Sequence, residues 1–166
     1  MAQKNVRGEM KVIFLDLDGV LNSKKYDRVR DWSAQTGIDE SRLPILKKIV
    51  NATGAELVFS STWRVHWDKD ESRCDDDGRY INETFEKFGL KLFDKTPQLG
   101  LFSSRAEEVQ NWLKYPPATV ESFVILDDYG FGWGALADRL VKTNENDWGL
   151  SDADAIKAIK LLNGEN

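Results

Sequence analysis

A chain of 166 residues is long enough for one domain around a single core. Apolar residues make up 41% and charged residues 31%, a globular balance that excludes wholesale disorder. The formal charge of -5 and a pI of about 5.0 argue against stable binding of long duplex, and leave open a small phosphorylated substrate or a nucleic-acid end.

The N-terminal stretch has no long apolar region, and the run from Val12 to Leu15 is too short to cross a membrane. Neither a signal peptide nor a membrane span is expected. Lys11 to Leu15 is apolar, β-branched and bounded by polar residues, which predicts a buried strand ending at Asp16. Residues 22–37 are polar and mixed and read as a loop. A helix follows, with Leu43, Leu46, Ile49 and Val50 on one face, Asp39 or Ser41 as its cap and Gly54 as its stop. Leu57 to Phe59 is the second strand, ending in Ser60-Ser61-Thr62.

Residues 66–80 are crowded with charge and read as an exposed loop. The single cysteine, Cys74, lies there, so no intramolecular disulfide is available, which fits a reducing, cytoplasmic compartment. Its anionic neighbours, Glu71, Asp75, Asp76 and Asp77, disfavour a thiolate and predict an unreactive thiol. Asn82 to Phe88 reads as a short helix ended by Gly89, and Leu90 to Phe93 as a third strand. Ser104 and Glu107 form a capping box that opens a helix running to about Lys114, which Pro116-Pro117 forbids from continuing. Phe123 to Leu126 is another buried strand, ending at Asp127-Asp128, and Arg139 to Thr143 one more short strand. Ser151 and Asp154 cap the last helix, whose apolar face is Ala155, Ile156, Ile159 and Leu162. Strands alternating with helices predict an α/β fold: one domain over 1–166, with a Rossmann-like parallel sheet and helices on both faces.

In such sheets the ligand lies beyond the carboxyl ends of the strands. Asp16 and Asp18, two apart on an extended chain, point the same way, and Gly19 lets the chain turn after them. Close carboxylates resist joint ionisation unless a cation intervenes or one keeps its proton. An ionised Asp16 can attack phosphorus, and a protonated Asp18 can donate to the leaving oxygen. Asp127-Asp128 concentrate negative charge that a hard cation, Mg2+, relieves. Ser60, Ser61 and the forked guanidinium of Arg64 can hold phosphate oxygens. Arg105 in the first turn of its helix opposes the helix dipole, so phosphate or Asp16 is expected to compensate it. Each group alone has an ordinary reading: a polar strand end, a solvated turn, an N-cap, a surface arginine. Their convergence on strand ends is the argument. Trp63, Trp67 and Trp133 are candidates to stack on a substrate base, with core or rim packing the favoured reading. His66 has no cysteine or histidine partner at ligand spacing, which argues against zinc.

In order, these pieces resemble the haloacid dehalogenase (HAD) superfamily. Asp16-Leu17-Asp18-Gly19-Val20-Leu21 resembles its first motif, Ser60 or Ser61 its second, Arg105 its third and Asp127-Asp128 its fourth. Phe59-Ser60-Ser61-Thr62-Trp63-Arg64, the run from Arg105 to Leu113 and Arg139 to Thr143 followed by Gly149-Leu150 are similar to the branch found in multidomain RNA-repair proteins and small phage-type phosphatases. The resemblance implies a magnesium-dependent phosphomonoesterase. Asp16 would form an aspartyl-phosphate and Asp18 would be the general acid-base. Asp16, the backbone carbonyl of Asp18 and an aspartate of the last pair would hold the metal, Asp128 directly and Asp127 behind it. Val20 departs from the threonine common in the superfamily's phosphatases. No insertion is large enough for a full cap domain, and residues 64–104 have room only for a small lid. The substrate expected is a nucleotide or nucleic-acid 3′-phosphate, contacted by Trp63 and Trp67. Two other readings compete. One is a phosphate-binding scaffold that has lost turnover. The other is a phospho-acceptor receiver domain, whose acidic pair would precede its acceptor aspartate.

Overall fold

The computed structural model describes residues 8–33 and 37–165. Strand β1, Glu9–Leu15, is followed by helix α1, Lys24–Val29, helix α2, Leu43–Thr53, and strand β2, Glu56–Phe59. Helix α3, Asp76–Glu86, leads to strand β3, Leu92–Lys95, and helix α4, Arg105–Lys114, to strand β4, Thr119–Asp127. Strand β5, Leu140–Lys142, and helix α5, Asp152–Asn163, complete the described chain. All four strand pairings are parallel, and the sheet order is β3-β2-β1-β4-β5. The Rossmann-like α/β class is as the sequence predicts. Among the described residues no helix is long and apolar enough to cross a membrane.

Alternation along β1 divides the core into two layers. Ile13 and Leu15 join Leu43, Leu46 and Ile49 of α2, Ile81 and Phe85 of α3 and Ala155, Ala158 and Leu162 of α5. Val12 and Phe14 face the other way and pack with Ala106, Val109 and Trp112 of α4. Phe14 meets the Trp112 ring edge-on at 5.4 Å. Both predicted capping boxes are formed, Ser104 with Glu107 on α4 and Ser151 with Asp154 on α5. Gly54 closes α2 in the left-handed conformation at φ 68°.

Several elements differ from the sequence reading. The expected loop 22–37 contains α1, capped by Ser23, with no buried residue to give an apolar periodicity. Residues 34–36 of that stretch, and the N-terminal residues 1–7, lie outside the described residues. Helix α3 starts at Asp76, well before Asn82, because Asp75 accepts from Asp77 N and Gly78 N and so caps it. Gly78, read as a loop glycine, lies inside that helix: a Cβ there would stand 2.0 Å from the His66 carbonyl oxygen. Trp67 and Cys74 of the supposed exposed loop are buried. Strand β3 lies two residues later than expected, and β4 reaches back to Thr119. Ile156 points to solvent, 58% exposed, while Ala155 and Ala158 line the inner face of α5. Most of the span 64–104, which had room for a lid, instead builds the sheet unit with α3 and edge strand β3.

Candidate active site

The strand order reverses beside β1: after β3 on one flank the chain crosses to β4 on the other. A crevice opens at such a switch point, beyond the carboxyl ends of the two strands. Leu15 pairs with Leu126, so Asp16 and Asp127 leave neighbouring strands at the same level. The Asp16 N–H donates to the Leu126 carbonyl at 3.0 Å, extending the ladder into the site.

Asp16 is 3% exposed and Asp127 fully buried. Arg105, on the first turn of α4, donates through Nη1 to Asp16 Oδ2 and to Asp127 Oδ2, both at 2.6 Å. The anionic compensation expected for Arg105 is therefore two carboxylates. The second oxygen of Asp16 accepts from Leu17 N at 2.8 Å, and that of Asp127 from Tyr129 N at 2.9 Å. Burial pushes the Asp16 carboxyl up from 3.8 to about 6; the charge of Asp127 adds to this and Arg105 opposes it. Burial and the charge of Asp127 raise Asp128 as well. Burial works against the charge of Arg105, but Asp16 and Asp127 outweigh it and hold the guanidinium protonated.

Asp16, Asp127 and Asp128 each offer an oxygen within 4.8 Å of the others. Gly19, at φ 76°, makes room for the third: a Cβ there would lie 2.4 Å from Asp128 Cγ. An all-oxygen set with two carboxyls pushed up by burial and mutual repulsion fits a hard divalent cation such as Mg2+. The other such group among the described residues is His66, Asp75 and Asp77. Its Asp75 is already engaged by the α3 N-terminus and by His66 Nδ1 at 2.7 Å.

Asp18 is exposed and held by two donors. Asn22 Nδ2 reaches Asp18 Oδ1 at 2.8 Å and Trp63 Nε1 reaches Asp18 Oδ2 at 3.1 Å. Asn22 also accepts from Gly19 N at 2.9 Å and donates to the Gly37 carbonyl at 2.9 Å. Thr143 Oγ1 donates to the Gly19 carbonyl at 2.7 Å, and Leu150 N to that of Val20 at 2.8 Å. The loop after β1 is thus fixed at both ends of its turn.

Ser60 and Ser61 are both fully buried at the end of β2. Ser61 Oγ caps the 3-10 turn Thr62–His66 by accepting from Trp63 N at 3.2 Å. Ser60 Oγ has no partner. Arg64, expected to fork a phosphate, is turned into the protein. Its Nη2 pairs with Glu108 at 2.8 Å and its Nη1 donates to the Ser60 and Ser61 carbonyls. Burial lowers its pKa, only partly offset by Glu108. Trp67 is likewise not brought to the site: it is 4% exposed and its Nε1 donates to Asn82 at 2.8 Å. Residues four apart in a 3-10 turn do not share a face, and Trp67 has already left the helical path at φ -110°. Trp133 is also buried, donating to the Tyr129 carbonyl at 2.7 Å. Asn22, Glu108, Tyr129 and Thr143 were missed. None carried a usable signal: Glu108 lies one turn from Arg105 on α4, but its partner is Arg64 of another segment.

Asp16, Asp18, Arg105, Asp127 and Asp128 line one cleft of about 620 Å³ together with Tyr129 and Phe131. Trp63 lies on the far side of Asp18, in a smaller hollow of about 290 Å³. Ser60 and Ser61, fully buried, do not line the cleft. No curated protein and no solved structure matches the chain. A family model does match, over residues 12–155, and it identifies the chain as a member of the HAD-domain family of Swiss Army Knife RNA repair proteins.

Proposed function

We propose that the protein is a magnesium-dependent phosphomonoesterase that works through an aspartyl-phosphate on Asp16, with phosphorylated nucleotide or nucleic-acid 3′ ends as substrates. Membership of the HAD family supports phosphatase-type hydrolysis in general. The observation that carries the finer reading is the acid cluster: Asp16, Asp127 and Asp128 converge within 4.8 Å, with Arg105 bridging the first two.

In the first step a carboxylate oxygen of Asp16 attacks phosphorus, and the bond from phosphorus to the leaving oxygen breaks. Asp18 supplies the proton that the leaving alkoxide needs. In the second step Asp18 takes a proton from water as the water oxygen attacks the phosphorus of the aspartyl-phosphate, the bond from phosphorus to the Asp16 oxygen breaks, and inorganic phosphate leaves with the Asp16 carboxylate restored. Arg105 bridges Asp16 and Asp127 and so keeps the attacking carboxylate oriented. The metal would be held by Asp16 and Asp128, with the Asp18 carbonyl, and would neutralise phosphate charge.

The nucleic-acid end rests on the family's RNA-repair setting and on the span 64–104, which supplies α3 and edge strand β3. The test is phosphate release from matched panels, nucleoside 3′-phosphates and short 3′-phosphorylated oligonucleotides against hexose phosphates, with magnesium and with chelator. Turnover that needs the metal, with higher kcat/KM for the nucleotides, is expected. A clear preference for sugar phosphates refutes the substrate class. Absence of turnover on every ester refutes the enzyme and leaves the scaffold reading.

A further inference from the structure

The cleft is far larger than a phosphate group needs, and one of its walls is aromatic. Tyr129 and Phe131, in the loop after β4, line the same cleft as Asp16 and Arg105, yet are 62% and 75% exposed. Their rings meet edge-on at 5.8 Å. The loop is braced rather than loose. Tyr129 N donates to Asp127 Oδ1 at 2.9 Å, and the buried Trp133 donates to the Tyr129 carbonyl at 2.7 Å. A tied backbone thus holds two rings in water beside the reacting centre.

Charge decides what those rings are for. Four carboxylates line the cleft, and Arg105, the only basic side chain among the described residues that line it, is engaged by two of them. Additional backbone phosphates of a strand would be repelled here. What remains to hold a substrate beyond its terminal phosphate is a neutral contact, and base–aromatic stacking is the strongest of these. The volume left over, in a cleft of about 620 Å³, suits one nucleoside.

We infer that Tyr129 and Phe131 form a stacking platform for the nucleobase attached to the phosphorylated end. This deepens the proposed function and rests on it. The platform takes over the role expected of Trp67, which is buried.

The test compares a nucleoside 3′-phosphate with an abasic ribose phosphate of the same charge, in magnesium. It uses the wild type, Phe131→Trp, and a variant combining Tyr129→Ala with Phe131→Ala. In the wild type, kcat/KM is expected to favour the base-bearing substrate by about tenfold or more. The double variant is expected to bring that ratio towards one, chiefly through KM, while Phe131→Trp preserves it. A general loss of fold lowers both substrates and leaves the ratio intact, so an unchanged ratio in the double variant overturns the platform. So does a wild type that favours a phosphotyrosyl peptide over the nucleotide. In each of those results hydrolysis stands and only the platform falls. A wild type inactive on every phosphate ester removes the phosphatase reading and the platform together.

Discussion

Replacing Asp16 by Asn separates chemistry from stability. The carboxyl is 3% exposed, and burial lifts it from 3.8 to about 6, so the fold holds its ionised form at a disadvantage. At 1.36 kcal/mol per tenfold change in acidity, the disadvantage is about 3 kcal/mol at most. Because the folded value lies above the unfolded one, the cost is absent below about pH 4, where both states are protonated. It grows as pH rises between the two values and is complete above about pH 6. Asp16→Asn removes that cost and also removes a partner of Arg105, so the net gain is smaller. In chelator at pH 8 the variant is expected to be more stable than the wild type by about 1–3 kcal/mol, read from urea unfolding. The gain should vanish near pH 4. The same protein should lose at least about a thousandfold in kcat, because an amide cannot attack phosphorus. A folded variant with substantial turnover refutes the aspartyl-phosphate. A variant less stable than the wild type at pH 8 refutes the claim that burial, rather than the pair with Arg105, dominates Asp16.

Asp128→Ala should weaken magnesium binding in calorimetric titration more than Asp127→Ala, since Asp127 is fully buried whereas Asp128 is half-buried on the cleft wall; the reverse order would exchange their roles. Glu108→Gln leaves the buried Arg64 without a counter-charge, and unfolding should show a loss of about 3–5 kcal/mol; a loss under about 1 kcal/mol would mean that Arg64 finds another anion. Trp63→Phe keeps a ring but deletes the N–H that holds Asp18. It should slow alkyl phosphates several-fold more than p-nitrophenyl phosphate, whose leaving group needs no proton; equal slowing would assign Trp63 to packing alone.

Much of this architecture is written locally. Strands β1, β2 and β4 each end in a polar pair, and two capping boxes mark helix starts without tertiary help. The misses have physical causes. Helix α1 lies on the surface with no apolar stripe to reveal it. Helix α3 begins in a run of aspartates that resembles solvated loop, and its Gly78 is required by the approach of the His66 carbonyl from another segment. Ile156 was placed inward because size suggests burial, whereas a close approach to the sheet favours Ala155 and Ala158 there. At the site, Asp16, Asp18, Arg105 and Asp127-Asp128 were legible because strand ends converge by topology. Arg64 was not, because its partner Glu108 comes from a helix far along the chain and the pair closes only when α4 docks.

The charge balance of the cleft also weighs against the reading of a phosphate-binding scaffold. A module that only bound phosphate would line its cleft with cations or backbone N–H groups, as helix termini and nests do. This cleft has four carboxylates to one guanidinium, and the guanidinium is already shared between two of them. Asp16 and Asp128 are both pushed up by burial and by Asp127, a standing cost to the fold that hydrophobic replacements would relieve. Gly19 is held at positive φ against the Asp128 side chain, so even the backbone is shaped around the acids. Unfavourable charge gathered at one cleft suits chemistry that uses it: an anion that must attack, and a cation that must be attracted. A scaffold gains nothing from such charge, and loses affinity for phosphate to it.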